Sequence, residues 1–126
     1  MLSAMNWTAA LFVVIAFLAL VYLLRRSREI SSKNAKAFLK HGALLVDVRS
    51  ATEFTAGHLP KAVNLPLAEI ESAVTRRVKD KHQVLLLYCQ SGMRSGAAKS
   101  KLTAMGYDHA FNLGSYARAA SIVTGK

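Results

Sequence analysis

An uninterrupted apolar stretch near the start of the chain most constrains what it can fold into. Residues 7–24, WTAALFVVIAFLALVYLL, contain no charged side chain and only Thr8 among the small polar types. As a helix, this stretch is about 27 Å long, close to the hydrocarbon thickness of a bilayer. Trp7 and Tyr22 lie near its two ends, where interfacial aromatic side chains are typical. The stretch therefore predicts a transmembrane helix, which Arg25, Arg26 and Arg28 follow directly.

Two other interpretations of this stretch are weaker. A cleaved signal peptide carries positive charge before its apolar run and a small-residue cleavage site after it, whereas here the charge comes only afterwards. A buried core helix of such length is unusual in so small a domain. We therefore expect residues 1–28 to be a single-pass anchor with a basic flank, and residues 29–126 to be the domain it carries. The positive-inside bias places that domain on the cytoplasmic side of the cell inner membrane.

Composition limits the partners of the domain. The 126-residue chain has 17 Lys and Arg against 7 Asp and Glu, a formal net charge of +10, and all of this excess falls after residue 24. The cations are scattered, without interleaved aromatic residues or a nucleic-acid motif, so we expect a lipid bilayer as partner and no nucleic acid. The single cysteine excludes an intramolecular disulfide and is typical of a reducing compartment or of a thiol kept for chemistry.

Short apolar runs alternate with helix-like stretches from residue 29 onwards. The runs 43–48 and 84–88 are apolar on both faces, as in covered parallel strands, and 62–66 and 109–113 look like shorter strands. Helical spacing is found in residues 31–42, 51–58, 67–80, 95–107 and 114–123. This order predicts an α/β fold, with a mainly parallel sheet flanked by helices in a three-layer sandwich.

The only cysteine, Cys89, directly follows the most apolar predicted strand. In parallel sheets, functional sites lie beyond the carboxyl ends of the strands. Residues 90–93 can turn their backbone N–H groups towards the sulfur, and Gly92 gives this turn conformational freedom. The helix expected to begin near Ser95 adds its positive end, and Arg94 adds charge or braces the loop. These features predict a lowered thiol pKa, whereas the alternative is a small buried hydrophobe.

Three ordered blocks of sequence resemble the single-domain rhodaneses, a family of sulfurtransferases. YCQSGMRS (88–95) is similar to the active-site loop of that family, LLVDVRSATEFTAGHLPKAVNLPL (44–67) to its second signature, and MGYDHAFNLGS (105–115) to its closing strand. The resemblance spans residues 29–123 and identifies the chain as a membrane-anchored form with a rhodanese-like fold. Lys61 and Ser115 stand where glycines are common, which concerns local turn geometry more than chemistry.

The resemblance implies a double-displacement reaction. Cys89 would attack the sulfane sulfur of a small donor anion, such as thiosulfate, or of a protein persulfide. The resulting Cys89 persulfide would pass its outer sulfur to an acceptor thiol or to cyanide, with no metal and no organic cofactor. The residues implied to bind the substrate are those of the loop: Gln90, Ser91, Gly92, Met93, Arg94 and Ser95.

Four residues of the second block are expected to support the site. Asp47 caps the end of a predicted strand. Arg49 and Glu53 are four residues apart, which predicts an ion pair, although Arg49 could instead line the mouth of the pocket. His58 is expected to be a hydrogen-bonding brace. The four histidines show no metal-ligand spacing, so we predict no metal site.

Two other functions remain open on the sequence. Phosphatases and arsenate reductases of the same fold use a Cys-x5-Arg loop, one residue longer than the interval from Cys89 to Arg94. A rhodanese-like domain can also lose catalysis and act as a membrane-tethered binding or scaffold module, with a membrane protein as its partner.

Overall fold

The computed structural model describes residues 6–26 and 28–125 of the chain. Its first helix, α1, spans Trp7–Arg26. Within the described part of the chain, α1 is the helix long and apolar enough to cross a membrane, with a mean hydropathy of 2.6 over residues 7–24. None of that window is buried. The core-helix interpretation is therefore wrong, whereas a membrane span and a signal sequence both have these properties.

The rest of the described chain alternates helices and strands. In chain order the elements are α2 (Ser32–Lys40), β1 (Leu44–Asp47), α3 (Ala51–Ala56), β2 (Val63–Asn64), a 3-10 turn (Leu67–Glu69), α4 (Ile70–Arg77), β3 (Leu85–Tyr88), α5 (Met93–Ala104), β4 (Ala110–Gly114) and α6 (Tyr116–Thr124). The four strands form one parallel sheet in the order β2-β1-β3-β4. The predicted α/β fold is confirmed.

Both faces of the sheet are covered because its central strands are apolar on both sides. Every residue of β3 is buried, with Leu85 and Leu87 in one apolar cluster and Leu86 and Tyr88 in the other. The first cluster includes buried residues of α4 and α5, and the second includes buried residues of α2 and α6. The arrangement is a three-layer sandwich, and it accounts for the lack of polar residues in β3.

The two departures from the family pattern have local structural outcomes. Lys61 has a φ of 65°, in the left-handed region that glycine occupies at little cost. Ser115 is the N-cap of α6, and its hydroxyl accepts a hydrogen bond from the backbone N–H of Arg118. A serine in this place therefore stabilises the start of the last helix.

The strand order creates a crevice where the site was predicted. From β1 the chain passes through α3 to β2 at one edge, and from β3 it passes through α5 to β4 at the other edge. The chain direction therefore diverges between β1 and β3, where Asp47 lies opposite Tyr88. Ligands bind at such a divergence in open parallel sheets. Cys89 follows β3 at this point.

A buried ion pair fixes the end of β1. The Nη2 of Arg49 donates to Oδ2 of Asp47 at 2.7 Å and to the carbonyl of Gly57 at 2.7 Å, and its Nε contacts both carboxylate oxygens. The side chains of Asp47 and Arg49 are 0% and 7% exposed. The predicted pair between Arg49 and Glu53 is wrong, because Arg49 precedes the first residue of α3 and turns back to Asp47. Leaving one charge of a buried pair unpartnered typically costs about 3–5 kcal/mol.

Candidate active site

Cys89 lies at the carboxyl edge of the sheet, between a buried strand and a helix. Its backbone N–H donates to the carbonyl of Gly114 on β4 at 3.3 Å. Helix α5 begins at Met93, two residues earlier than the sequence predicts, directly after Gly92 at a φ of 90°. This left-handed turn is accessible to glycine, and it lets the chain reverse within three residues of Cys89. Arg94 and Ser95 therefore lie in the first turn of α5.

The sulfur of Cys89 faces the start of α5. It accepts a hydrogen bond from the N–H of Gly92 at 3.0 Å and from the N–H of Ser95 at 3.4 Å. The Ser95 hydroxyl lies 3.5 Å away. Burial raises the pKa of the Cys89 thiol, but the hydroxyl and N–H of Ser95 and the N–H groups of Gly92 and Ser91 outweigh it, so that the pKa is lowered. These hydrogen bonds therefore stabilise the thiolate form of Cys89.

Arg94 braces the loop rather than facing the solvent alone. Its Nη1 and Nη2 donate to Oε1 and Oε2 of Glu53 at 2.7 and 3.0 Å. Glu53 also completes the capping box of α3 with Ser50. This fork between two planar groups ties the first turn of α5 to α3. The hydrogen bonds from Arg94, aided by those from Ser50, lower the pKa of Glu53 to about 2.

Arg49 and His58 lie near the site but make internal contacts. The Arg49 guanidinium is 4.9 Å from the ring centroid of Tyr116, in addition to its bonds to Asp47 and Gly57. The hydrogen bonds to Asp47 raise the pKa of Arg49, although burial opposes them. Nδ1 of His58 lies 2.8 Å from the carbonyl oxygen of Phe54. The imidazole also stacks on the Phe54 ring, with the ring centroids 3.7 Å apart. Both residues hold the turn after α3 in place.

The sulfur is closed off from solvent in this conformation. Cys89 is 0% exposed, whereas Gln90, Ser91 and Met93 above it are exposed. A cleft of about 530 Å³ lies beside the loop. It is lined by Ser91, Gly92, Asn112 of β4, residues of α5 and the segment after α1, but not by Cys89. Contact between a donor and the sulfur therefore requires a local rearrangement of the surrounding residues.

Asn112 on β4 is a site residue that the sequence analysis missed. Its Oδ1 accepts a hydrogen bond from the Ser95 hydroxyl at 2.7 Å and from the Gly114 N–H at 3.0 Å. Its Nδ2 donates to the carbonyl of Gly92 at 3.1 Å. A buried amide in the middle of the apolar strand AFNLG was the one signal in the sequence, since such a group needs partners.

Three polar residues meet near the amino-terminal ends of β3 and β4, at the opposite end of the strands from Cys89. Their ligand atoms, on His82, Asp108 and His109, lie within 4.8 Å of one another. Nδ1 of His82 lies 3.0 Å from the Asp108 carboxylate, and Nδ1 of His109 lies 2.9 Å from it without hydrogen-bond geometry. The spacing along the sequence did not reveal this cluster, because residues 82 and 109 precede different strands. The absence of a metal site stays a prediction.

Comparison with known proteins agrees with this geometry. Residues 31–118 match the model of the rhodanese-like domain. The chain is 38% identical over 69 residues to the thiosulfate sulfurtransferase PspE of Escherichia coli. The aligned region covers 55% of this chain and 66% of that protein, just under two thirds of its length. It is 33% identical to the human thiosulfate:glutathione sulfurtransferase over 66% of this chain and 84% of that protein.

Solved structures give the same result. A rhodanese with anions from E. coli aligns with a TM-score of 0.59 and 34% identity, over 61% of this chain and 91% of that one. A human single-domain sulfurtransferase aligns with a TM-score of 0.63 and 30% identity, over 73% and 94%. The chain combines an α/β sandwich with a cysteine that lies between a central strand and the amides of the next helix, as expected for a rhodanese-like domain. The chain belongs to the rhodanese family.

Alanine at Gly92 is expected to destabilise the protein more than alanine at Gly42. Both glycines have a φ near 90°, but a Cβ at Gly92 would lie 3.3 Å from the Gly114 carbonyl carbon, whereas a Cβ at Gly42 meets nothing within 4 Å. Gly42→Ala should cost about 1 kcal/mol of unfolding free energy for the backbone alone. Gly92→Ala should cost roughly 1–3 kcal/mol more, because the extra methyl group crowds β4. Urea unfolding measures both, and equal losses would contradict this packing.

The pairing of Glu53 with Arg94 is expected to make the folding stability of the protein depend on pH in the acidic range. The pKa of Glu53 falls from its ordinary value of 4.5 to about 2 on folding. Its contribution is therefore fully present above pH 4.5 and is lost as the pH falls through about 2. The Tm gap between the wild type and Glu53→Gln should be largest near pH 6 and should shrink progressively below pH 4.5. A gap that stays constant down to pH 2.5 would show that the pair does not form.

Proposed function

We propose that this protein is a sulfurtransferase that uses Cys89 as its nucleophile. The observation that carries the proposal is the sulfur of Cys89, held within hydrogen-bonding distance of the N–H groups of Gly92 and Ser95. Fixed N–H dipoles at a helix start stabilise a thiolate, and they stabilise negative charge on a second sulfur atom in the same way. The names of the sulfurtransferase relatives support the same activity.

The reaction proceeds in two displacements without net oxidation of the protein. The Cys89 thiolate attacks the sulfane sulfur of a donor such as thiosulfate, so that a new S–S bond forms while the donor S–S bond breaks. Sulfite leaves with the electron pair. The nucleophilic acceptor, a thiol or cyanide, then attacks the outer sulfur of the persulfide, and Cys89 leaves as the thiolate that began the cycle. The donor class includes small sulfur anions and protein persulfides.

Access to the buried sulfur requires a movement of the loop around it. Gln90, Ser91 and Met93 lie outermost, while Gly92 and Ser95 supply the inner N–H groups. Arg94 keeps the first turn of α5 fixed through Glu53. A displacement of residues 90–91 would break the hydrogen bond from the Tyr116 N–H to the carbonyl of Gln90 and would move the N–H of Ser91. The N–H groups of Gly92 and Ser95 would stay on the sulfur. No residue of this mechanism requires a metal or an organic cofactor.

We also propose that α1 anchors the domain in the inner membrane, on its cytoplasmic side. The 18-residue apolar window and its exposed side chains support a span, and the three arginines that follow support the orientation. The basic surface would add attraction to anionic lipid, without a role for nucleic acid. Anchoring would keep the site near a sulfur donor or acceptor protein in the same membrane.

One observation favours the binding-module alternative. Cys89 is fully buried, as a structural cysteine would be. In that function the exposed loop residues would contact a membrane-protein partner, and the thiol would not react. A Cys89→Ser variant separates the two functions, since a scaffold keeps its biological effect without the thiol.

Cys89→Ser is expected to abolish sulfur transfer while leaving the fold intact. In a thiosulfate–cyanide assay of the full chain, thiocyanate formation should fall at least about a hundredfold, because serine cannot form the persulfide. Thr103→Ala, an exposed change on α5, serves as the control with unchanged activity. An aryl phosphate assay run in parallel tests the phosphatase alternative and should show no turnover that depends on Cys89. Equal thiocyanate formation by Cys89→Ser and the wild type would refute the proposal.

Arginine in the middle of α1 is expected to release the protein from membranes. Val14→Arg with Leu18→Arg should lower carbonate-resistant membrane association strongly, since each charge at a bilayer centre costs about 2.5–3.5 kcal/mol. Thr55→Arg with Thr103→Arg adds the same charge on exposed positions of the domain and should remain in the membrane fraction. The intact mass of the purified protein reports cleavage. A chain that lacks its first residues would support the signal-peptide interpretation instead.

A further inference from the structure

We infer that Asn112 is a positioning residue for the Cys89 thiol, because its side chain holds Gly92 and Ser95, whose backbone N–H groups donate to the sulfur. Asn112 lies on β4, opposite Leu87 in the sheet register, and is 6% exposed. The hydrogen bonds of its side chain go to Gly92, Ser95 and Gly114 rather than to the sulfur. The inference deepens the proposed function, because it names the residue that prepares the proposed nucleophile.

The amide of Asn112 holds both sides of the turn that surrounds the sulfur. Its Nδ2 donates to the carbonyl of Gly92, the residue whose own N–H donates to the sulfur at 3.0 Å. Its Oδ1 accepts from the hydroxyl of Ser95, the residue whose N–H lies 3.4 Å from the sulfur. One planar group therefore fixes the left-handed turn at Gly92 and the first turn of α5 at the same time.

A register irregularity in the sheet makes this position rigid. Leu87 pairs with Asn112 but Tyr88 pairs with Gly114, so β4 carries one extra residue at this point. The N–H of Gly114 donates to Oδ1 of Asn112 at 3.0 Å. The backbone carbonyl of Asn112 also accepts from Ile30, in the segment that follows α1. Bulges of this kind often re-aim a side chain next to an active site.

The Ser95 hydroxyl allows two possible roles of Asn112 to be distinguished by the direction in which the pKa of the Cys89 thiol shifts. It has one hydrogen and two acceptors within reach, Oδ1 of Asn112 at 2.7 Å and Sγ of Cys89 at 3.5 Å. If Asn112 only competed with the sulfur for this hydrogen, removing the amide would lower the thiol pKa. If Asn112 positions the N–H donors, removing the amide weakens them and raises the thiol pKa. The two roles therefore predict shifts in opposite directions.

The test measures the pH dependence of Cys89 alkylation in the full chain, held in mild detergent. Cys89 is the only cysteine, so incorporation of iodoacetamide, followed by mass spectrometry, reports this thiol alone. The midpoint of the plot of alkylation rate against pH gives the thiol pKa. The plateau rate at high pH reports how accessible the buried sulfur is to the reagent. A change that only loosens the loop moves the plateau and leaves the midpoint in place.

Asn112→Leu is the main variant, and Asn64→Leu is its matched control. Asn64 is the other amide that braces strand ends here, donating to the carbonyls of Asp47 and Arg49 at 3.0 and 2.9 Å. Both variants should lower Tm, but only Asn112→Leu should raise the alkylation midpoint, by about one pH unit. Asn112→Ser serves if the leucine variant does not fold, since a serine side chain is too short to reach both Gly92 and Ser95.

The double variant with Ser95→Ala tests the route of the effect. Because Asn112 acts partly through Ser95, changing Asn112 should shift the midpoint less in the Ser95→Ala background than in the wild type. A midpoint that is unchanged or lowered in the Asn112 variants, or raised equally by Asn64→Leu, would overturn the inference. The measurement involves no sulfur transfer, so such a result would leave the proposed function standing, and loss of sulfur transfer with the expected midpoints would leave the inference standing.

Discussion

The hydrogen bonds that the start of α5 donates to the Cys89 sulfur are the interaction on which the rest of the site depends. A buried thiol surrounded only by apolar groups would hold its proton, because burial raises its pKa. Here the chain reverses at Gly92, so that unpaired N–H groups of the first helical turn face the sulfur instead of solvent. The same groups that complete the helix start also stabilise negative charge, so folding and chemistry use one set of donors.

Contacts from other parts of the fold hold that turn and the neighbouring strand end in position. Arg94 joins α5 to α3 through Glu53, and Asn112 joins it to β4. The buried pair of Asp47 and Arg49 fixes the end of the neighbouring strand. The segment after α1 also reaches the site, because Glu29 pairs with Arg118 and lies against Gly92 and Gly114. If α1 spans a membrane, the anchored segment therefore packs directly behind the loop that holds the sulfur.

The sequence predicted the features that depend on local pattern. Apolar runs gave the two central strands, and the position of Cys89 after the second run placed the thiol at the carboxyl edge of the sheet. Contacts between distant residues were not predictable in this way. Glu53 and Arg94 are 41 residues apart. The ion pair predicted between Arg49 and Glu53 rested on their four-residue spacing alone, whereas Arg49 precedes the helix that contains Glu53. Asn112 was missed because its partners are brought to it by the sheet register and by a bulge, neither of which leaves a mark in a single sequence.

The proposed sulfur transfer requires that Cys89 accept a sulfur atom, which mass spectrometry of the intact protein detects. After brief treatment with thiosulfate and removal of the excess, we expect a gain of one sulfur atom, located on the peptide that contains Cys89 and lost again on addition of cyanide. A protein that gains no sulfur while iodoacetamide still alkylates Cys89 under the same conditions would contradict the account, because the thiol would then be reachable and yet unable to accept sulfur.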